Sequence, residues 1–238
     1  QARKTMGVYM FTNQYQNEVV PDDAKVFKKE WLRYYDELPK LKHTFIFIDP
    51  AISLEDGADY TGIVVCDVDI NGTWYIKSAN RYRLTPTQII EKCFELYRLY
   101  QPLVIGIEEV SFQKALLYFL TEEMNRRNVI LPIRGIKPPT TKTKEMRILS
   151  LPARFEYSRI LLNKGLDALE LELLTFPRGA HDDVLDALAY LEYIVIPPTG
   201  EKKDDRPPAR NSPEYEAWYI KQLAEGNKRP GSAEEEFD

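Results

Sequence analysis

Three groups of acidic residues, far apart in the chain, stand where charge is costly unless it has work to do. Asp49 closes the apolar run Thr44 to Ile48, and Glu108 closes Val104-Ile105-Gly106-Ile107 in the same way, with Glu109 next to it. A carboxylate at the end of a buried strand needs a ligand, a metal or solvent. The third group is His181-Asp182-Asp183-Val184-Leu185-Asp186-Ala187-Leu188-Ala189, which follows Pro177 and Gly179 and reads as a helix start. Asp182 or Asp183 and Asp186 share a helical face, because positions three or four apart lie one turn above each other. Converging carboxylates make a hard-oxygen cage for Mg²⁺ or Mn²⁺ rather than zinc. Two such ions about 3.5 to 4 Å apart activate a water and stabilise the leaving oxygen of a phosphodiester. Each group also has a plainer reading: Asp-Pro starts turns, and acidic residues cap helix N-termini. Side chains alternate along a strand, so only one of Glu108 and Glu109 can join Asp49, and Glu108 is the expected partner. His181 is either a structural residue or an aid to proton transfer.

The elements that must position these groups follow from the pattern. Thr44–Ile48 reads as a buried strand stopped by Asp49-Pro50. Thr61–Val68 and Thr73–Tyr82 flank Ile70-Asn71-Gly72, and Asn-Gly between β-rich runs signals a hairpin. Thr85-Pro86 reads as an N-cap followed by proline at the first helical position, opening an amphipathic helix that ends before Pro102. Leu103–Ile107 is a further strand, Ser111 a cap for a helix over Phe112–Arg126, and Val129–Ile136 a fifth strand. Helices are expected near Thr143–Phe155, Leu166–Leu174 and Asp182–Val195, and another over Asp22–Leu38. Three antiparallel strands followed by alternating helix and strand predict an α/β fold with a mixed five-stranded sheet, later strands added in parallel, and helices on both faces. Ligands of open α/β sheets lie beyond the carboxyl ends of strands, where Asp49 and Glu108 stand.

The 238 residues suffice for one full domain with extensions. Residues 1–43 read as a lead-in segment, 44–196 as the folded domain, and 197–238, with six prolines and many charges, as a flexible tail. A hydrophobic fraction of 44% excludes disorder from end to end, and no apolar run approaches the roughly 18 residues of a membrane span. The opening residues lack the apolar core of a secretion signal, so neither export nor membrane insertion is expected. With two cysteines and two histidines, a zinc site, a disulfide framework or a Cys/His nucleophile is not indicated. The net charge of −5 hides an asymmetry. Arg134 to Lys164 carries Arg134, Lys137, Lys142, Lys144, Arg147, Arg154, Arg159 and Lys164 against Glu145 and Glu156, an island of +6. Such a segment either tracks nucleic-acid phosphates or is a solvated face.

Phe47-Ile48-Asp49-Pro50-Ala51, Asp59-Tyr60-Thr61-Gly62, Ile107-Glu108-Glu109, Thr143-Lys144-Glu145-Met146-Arg147 and His181-Asp182-Asp183-Val184-Leu185-Asp186-Ala187-Leu188 resemble, in that order, the nuclease domain of phage terminase large subunits, a branch of the RNase H-like fold. Met6 to Asn17 is similar to the stretch leading out of the terminase ATPase domain. The resemblance implies a metal-dependent endonuclease that cuts concatemeric viral DNA during genome packaging. It places Asp49, Glu108 and Asp183 at catalytic positions and makes Asp182 an equal candidate for the metal. Asp186, Asp59, His181 and Glu109 take auxiliary roles, and Arg134, Lys137, Lys142, Lys144 and Arg147 are expected to contact DNA. It further implies double-stranded DNA, the terminase small subunit and the portal as partners, and the host cytoplasm as the place of action. No G-x-x-x-x-G-K-[ST] motif occurs, so ATP-driven translocation is not expected of this chain alone. A Holliday-junction resolvase or integrase-like nuclease of the same fold, and a non-catalytic module docking DNA or a capsid component, are the alternatives.

Overall fold

A computed structural model describes residues 25–50, 60–109, 113–137 and 141–199, together with Tyr215. The chain divides into a unit of residues 1–198 and a second of 199–238, in which Tyr215 is helical. The first unit is built on a six-stranded sheet of β1 (Lys42–Asp49), β2 (Thr61–Asp69), β3 (Trp74–Tyr82), β4 (Val104–Glu108), β5 (Ile133–Ile136) and β6 (Ile160–Leu162). They lie in the order β5-β4-β1-β2-β3-β6. The pairs β1/β2 and β2/β3 are antiparallel, while β1/β4, β4/β5 and β3/β6 are parallel. The mixed sheet is as expected, but it has a sixth strand. Three residues at an edge carry too little periodicity to be read from sequence.

The hairpin forms around Gly72, whose φ of 75° suits the turn, and Asp69 Oδ1 accepts the backbone N–H groups of Asn71 and Thr73. Helix α1 (Pro86–Tyr100) opens with the expected cap as a full box: Thr85 Oγ1 accepts from Gln88 N, and Gln88 Oε1 accepts from Thr85 N. Helix α2 is Gln113–Arg127. β5 is shorter than expected because Pro132 has no N–H to give a ladder. The expected helix over Thr143–Phe155 is two: α3 (Lys144–Ile148) and α4 (Pro152–Glu156), divided where proline restarts the turn. Helices α5 (Asp167–Thr175) and α6 (Asp183–Tyr190) follow, with a 3₁₀ turn over Leu191–Tyr193.

Two apolar layers cover the sheet. Phe45, Phe47, Val64 and Trp74 face α3 to α6, whereas Ile46, Ile48, Ile63, Val65, Ile105 and Ile107 face α1 and α2. β2 is buried along its whole length, Asp67 and Asp69 included. Among the described residues of the expected helix at Asp22–Leu38, a 3₁₀ turn at Lys29–Trp31 stands instead. The chain there runs along the sheet edge, with Tyr35 N donating to Leu162 O and Leu162 N to Arg33 O, and inserts Phe27 and Leu32 into the core. These apolar residues are five apart, a spacing that no single helical face supports. Ser111, Asp59 and Met6 to Asn17 lie outside the described residues.

Candidate active site

Strand alternation and register bring the first two acids together. Asp49 shares its parity with Phe45 and Phe47, and Glu108 shares its parity with Gly106, whose α-carbon lies against the Phe47 ring. Because Ile48 pairs with Ile107 in the parallel β1/β4 ladder, Asp49 and Glu108 end adjacent strands and point to the α6 side of the sheet. Burial pushes the Asp49 pKa well above the usual carboxylate range, and the negative charges of Asp186 and Glu108 add to it, against the opposing charge of Lys144. Glu109 turns away, as expected, into an ion pair with Lys137 of 3.2 Å.

Helix α6 supplies the third side. It approaches β2 so closely that a Cβ at Gly62 would collide with the Asp183 carbonyl oxygen, so this contact requires glycine. Asp182 occupies the N-cap position, yet its side chain makes no cap hydrogen bond and instead pairs with Lys144 Nζ at 2.7 Å. The N-terminal N–H groups are served from elsewhere: Glu172 Oε2 accepts from Leu185 N at 2.8 Å. Asp183, 6% exposed, lies 3.8 Å from His181 Nδ1 and raises the Glu172 pKa through its charge. Asp186 is held by the Arg147 guanidinium, with Nη2 at 3.0 and 2.8 Å from its two oxygens and Nε at 3.2 Å, and lies 3.9 Å from Lys144. Burial raises the Asp186 pKa, and Arg147 and Lys144 hold it down only in part.

Sequence reading missed Tyr190. Its ring stacks on Phe47 with centroids 4.6 Å apart and planes 4° from parallel, its hydroxyl donates to Glu108 Oε1, and Arg147 lies over its other side at 4.4 Å. The available signal was its place four residues after Asp186 on one helical face. The basic island divides. Arg134, Lys137 and Lys142 are exposed, Lys144 is half-buried among the α6 acids, and Arg147, 8% exposed, is committed to Asp186. Lys144 and Arg147 come inward because they are three apart on α3, whose one face packs on α6. Burial opposes the Lys144 charge, but its hydrogen bond to Asp182 and the fields of Asp186, Asp182 and Asp49 outweigh it.

Among the described residues, no three or more His, Cys, Asp or Glu side chains are grouped to hold a metal ion. Asp49 and Glu108 supply two of the oxygen groups that a hard cation takes. Two carboxyl groups at the ends of adjacent strands, one with its pKa raised by burial and by the other's charge, form a pair whose repulsion a divalent ion would relieve, and this donor set fits Mg²⁺ or Mn²⁺.

The family model described as Terminase RNaseH-like domain matches residues 46–192, more than half of the chain. The chain belongs to this terminase family. The match spans β1 through α6 and so contains every element of the site. Comparison with curated proteins finds no match. Among solved structures, the large terminase of a thermophilic bacteriophage in complex with ADP is 11% identical with a TM-score of 0.52, over 71% of this chain and 43% of that one. A point variant of the C-terminal part of the large terminase subunit of bacteriophage Sf6, with calcium, is 13% identical with a TM-score of 0.50, over 70% of this chain and 97% of that one. These likenesses show a common fold. The chain spans less than half of the ADP-bound large terminase that it matches. The terminase resemblance and the RNase H-like fold read from the sequence are thus both shown. No helix among the described residues of the terminase domain is long and apolar enough to cross a membrane.

Proposed function

We propose that this terminase domain is a divalent-metal-dependent endonuclease that cuts double-stranded DNA during viral genome packaging, in the host cytoplasm and in company with the terminase small subunit and the portal. The observation that carries the reading is the β1/β4 register that brings Asp49 and Glu108 from separate strands to one point on the α6 face. Asp49 and Glu108 hold the cation, Mg²⁺ or Mn²⁺, with Asp183 as the third carboxylate and Asp182 as the alternative. When bound, the metal supplies Lewis-acid activation of water and charge stabilisation on the phosphodiester. The protein's part is positioning. Tyr190 fixes the Glu108 carboxyl through its hydroxyl, and the rigid Phe47 stack fixes Tyr190. Arg147 anchors Asp186 so that the α6 face keeps its place beside β1, and Lys144 balances the negative charge of Asp182 and Asp186. The capping alternative for these acids is weakened, since the Asp182 side chain caps nothing and Glu172 serves α6 instead.

Cleavage of plasmid and linear duplex DNA by the 238-residue chain in Mg²⁺ or Mn²⁺ tests the reading. Asp49→Ala and Glu108→Gln are expected to abolish cutting with the fold retained by circular dichroism. Between Asp182→Asn and Asp183→Asn, the larger loss names the third ligand. Full activity of Asp49→Ala would contradict the proposal, and a strong preference for four-way junctions over linear duplex would move it to a resolvase.

A further inference from the structure

Beside the carboxylate pair, on the same face of the sheet, lies a cavity of about 420 Å³ that the nuclease reading leaves without a role. Its walls are Arg81 from β3, Glu172 and Thr175 from α5, and Arg178 and His181 from the turn into α6. Arg81 and Arg178 outnumber the one carboxylate. Arg81 Nη1 stands 3.6 Å from Glu172 Oε1, an ion pair longer than a hydrogen bond, and Glu172 Oε1 is buried with no hydrogen-bond partner although the residue is 2% exposed. Next to the cavity the Tyr60 ring packs edge-on against His181, with centroids 5.1 Å apart, and carries the guanidinium groups of Arg81 at 5.1 Å and Arg83 at 4.9 Å. Cations over an aromatic face are attracted by the ring quadrupole, which orients them.

Register fixes where this group stands. Asp49 pairs with Gly62, and Gly62 with Arg81, so the three lie in one row across β1, β2 and β3 and their side chains share the α6 face. Two strand spacings of about 4.8 Å separate the backbones of Asp49 and Arg81. At a rise of about 3.4 Å per nucleotide along one strand, that distance covers roughly three nucleotides. A strand that runs along this row with its scissile phosphate at Asp49 carries a neighbouring phosphate past Arg81.

Resting on the nuclease reading above, we infer that the cleft between β3, the end of α5 and the turn into α6 seats a backbone phosphate flanking the cut, with Arg81 and Arg178 as its cationic walls. Arg81 and Arg178 are positioning residues: they fix the register of the strand over the carboxylates and touch no reacting atom. Tyr60 orients the guanidinium groups. Arg134, exposed on β5, lies beyond β4 at the other side of Asp49 in the strand order and pairs with Gly106, so it shares the face of Glu108. Arg81 and Arg134 thus stand on opposite sides of the carboxylates in the strand order.

The test uses the 238-residue chain and a fluorescent DNA duplex. Binding is measured against salt in an Asp49→Asn background, where cutting is removed. Arg178→Ala and Arg81→Gln are each expected to weaken binding about threefold to tenfold and to lower the slope of log K against log salt by about 0.9, the loss of one phosphate contact. In cleavage by the otherwise unaltered chain, Arg178→Ala raises KM by a similar factor and leaves kcat within about twofold. Arg126→Ala on α2 serves as control, with no effect on either. Arg178 is exposed, so its variant decides the matter even if Arg81→Gln unfolds. Affinity, slope and KM unchanged in Arg178→Ala, in a chain that cuts DNA, overturn the cleft and leave the nuclease standing. A parent chain that neither binds nor cuts DNA overturns both.

Discussion

Asp49 is defined less by its position at a strand end than by the company it keeps. Burial and the charges of Asp186 and Glu108 make it hold its proton more tightly in the folded chain than in the unfolded one. In metal-free protein its contribution to stability is therefore full below its ordinary value of 3.8 and is lost as pH rises through the raised value. Asp49→Asn should flatten this dependence. In the presence of a chelator, its melting temperature is expected to exceed that of the parent by more at pH 8 than at pH 5; an equal difference at both would remove the proposed strain. Arg147 shows the opposite balance, since it compensates a buried charge. Arg147→Ala leaves Asp186 without its main partner, a loss of about 3 to 5 kcal/mol in urea unfolding. Arg147→Met combined with Asp186→Leu is expected to be less destabilised than Arg147→Ala alone, because the pair's desolvation disappears with both charges.

Helix α6 holds the site by its approach to β2 and by the help of α5. Gly62→Ala drives a methyl group into the Asp183 carbonyl, so α6 must shift. The expected result is a stability loss of about 1 to 3 kcal/mol by unfolding, with a fall in cleavage greater than the unfolded fraction explains. Glu172 couples the two helices. Burial pushes its pKa up to about 7, against the backbone N–H of Leu185, with the charge of Asp183 adding to the rise. Its stabilisation is present below its ordinary value of 4.5 and is lost as pH rises through about 7. Glu172→Gln keeps an oxygen for Leu185 N and should melt with less pH dependence between 5 and 8. These couplings were not legible in the sequence, although their frame was. The hairpin at Asn71-Gly72, the Thr85 box and the acids after apolar runs all declare themselves locally, since each depends on neighbours within a few residues. Arg147 and Glu172 do not. A charge in a mixed helix reads as surface until the facing helix is known, and only α6 turns both inward. For the same reason Lys144 read as a free phosphate contact when its first partner is Asp182. The edge strand β6 and the non-helical path of 25–38 were hidden because their pairing partners, Trp74–Ile76 and Leu162, are distant in the chain.

Across the whole domain, charge is sorted rather than summed. A chain of net charge −5 gathers its acids at the ends of β1 and β4 and the start of α6, with Arg81 on β3 to one side in the strand order and Arg134 on β5 to the other. Divalent cations bound there stabilise the folded state by mass action, about 2.7 kcal/mol at one hundred times the dissociation constant. Thermal melts with added Mn²⁺ should show this rise in the parent and lose it in Asp49→Asn. The most direct measurement is an anomalous difference map from crystals of the chain soaked in Mn²⁺. The account predicts a peak within about 2.2 Å of carboxylate oxygens from both Asp49 and Glu108, with Asp183 or Asp182 as a further neighbour. Well-ordered crystals whose manganese binds elsewhere, with no peak at Asp49, would contradict it.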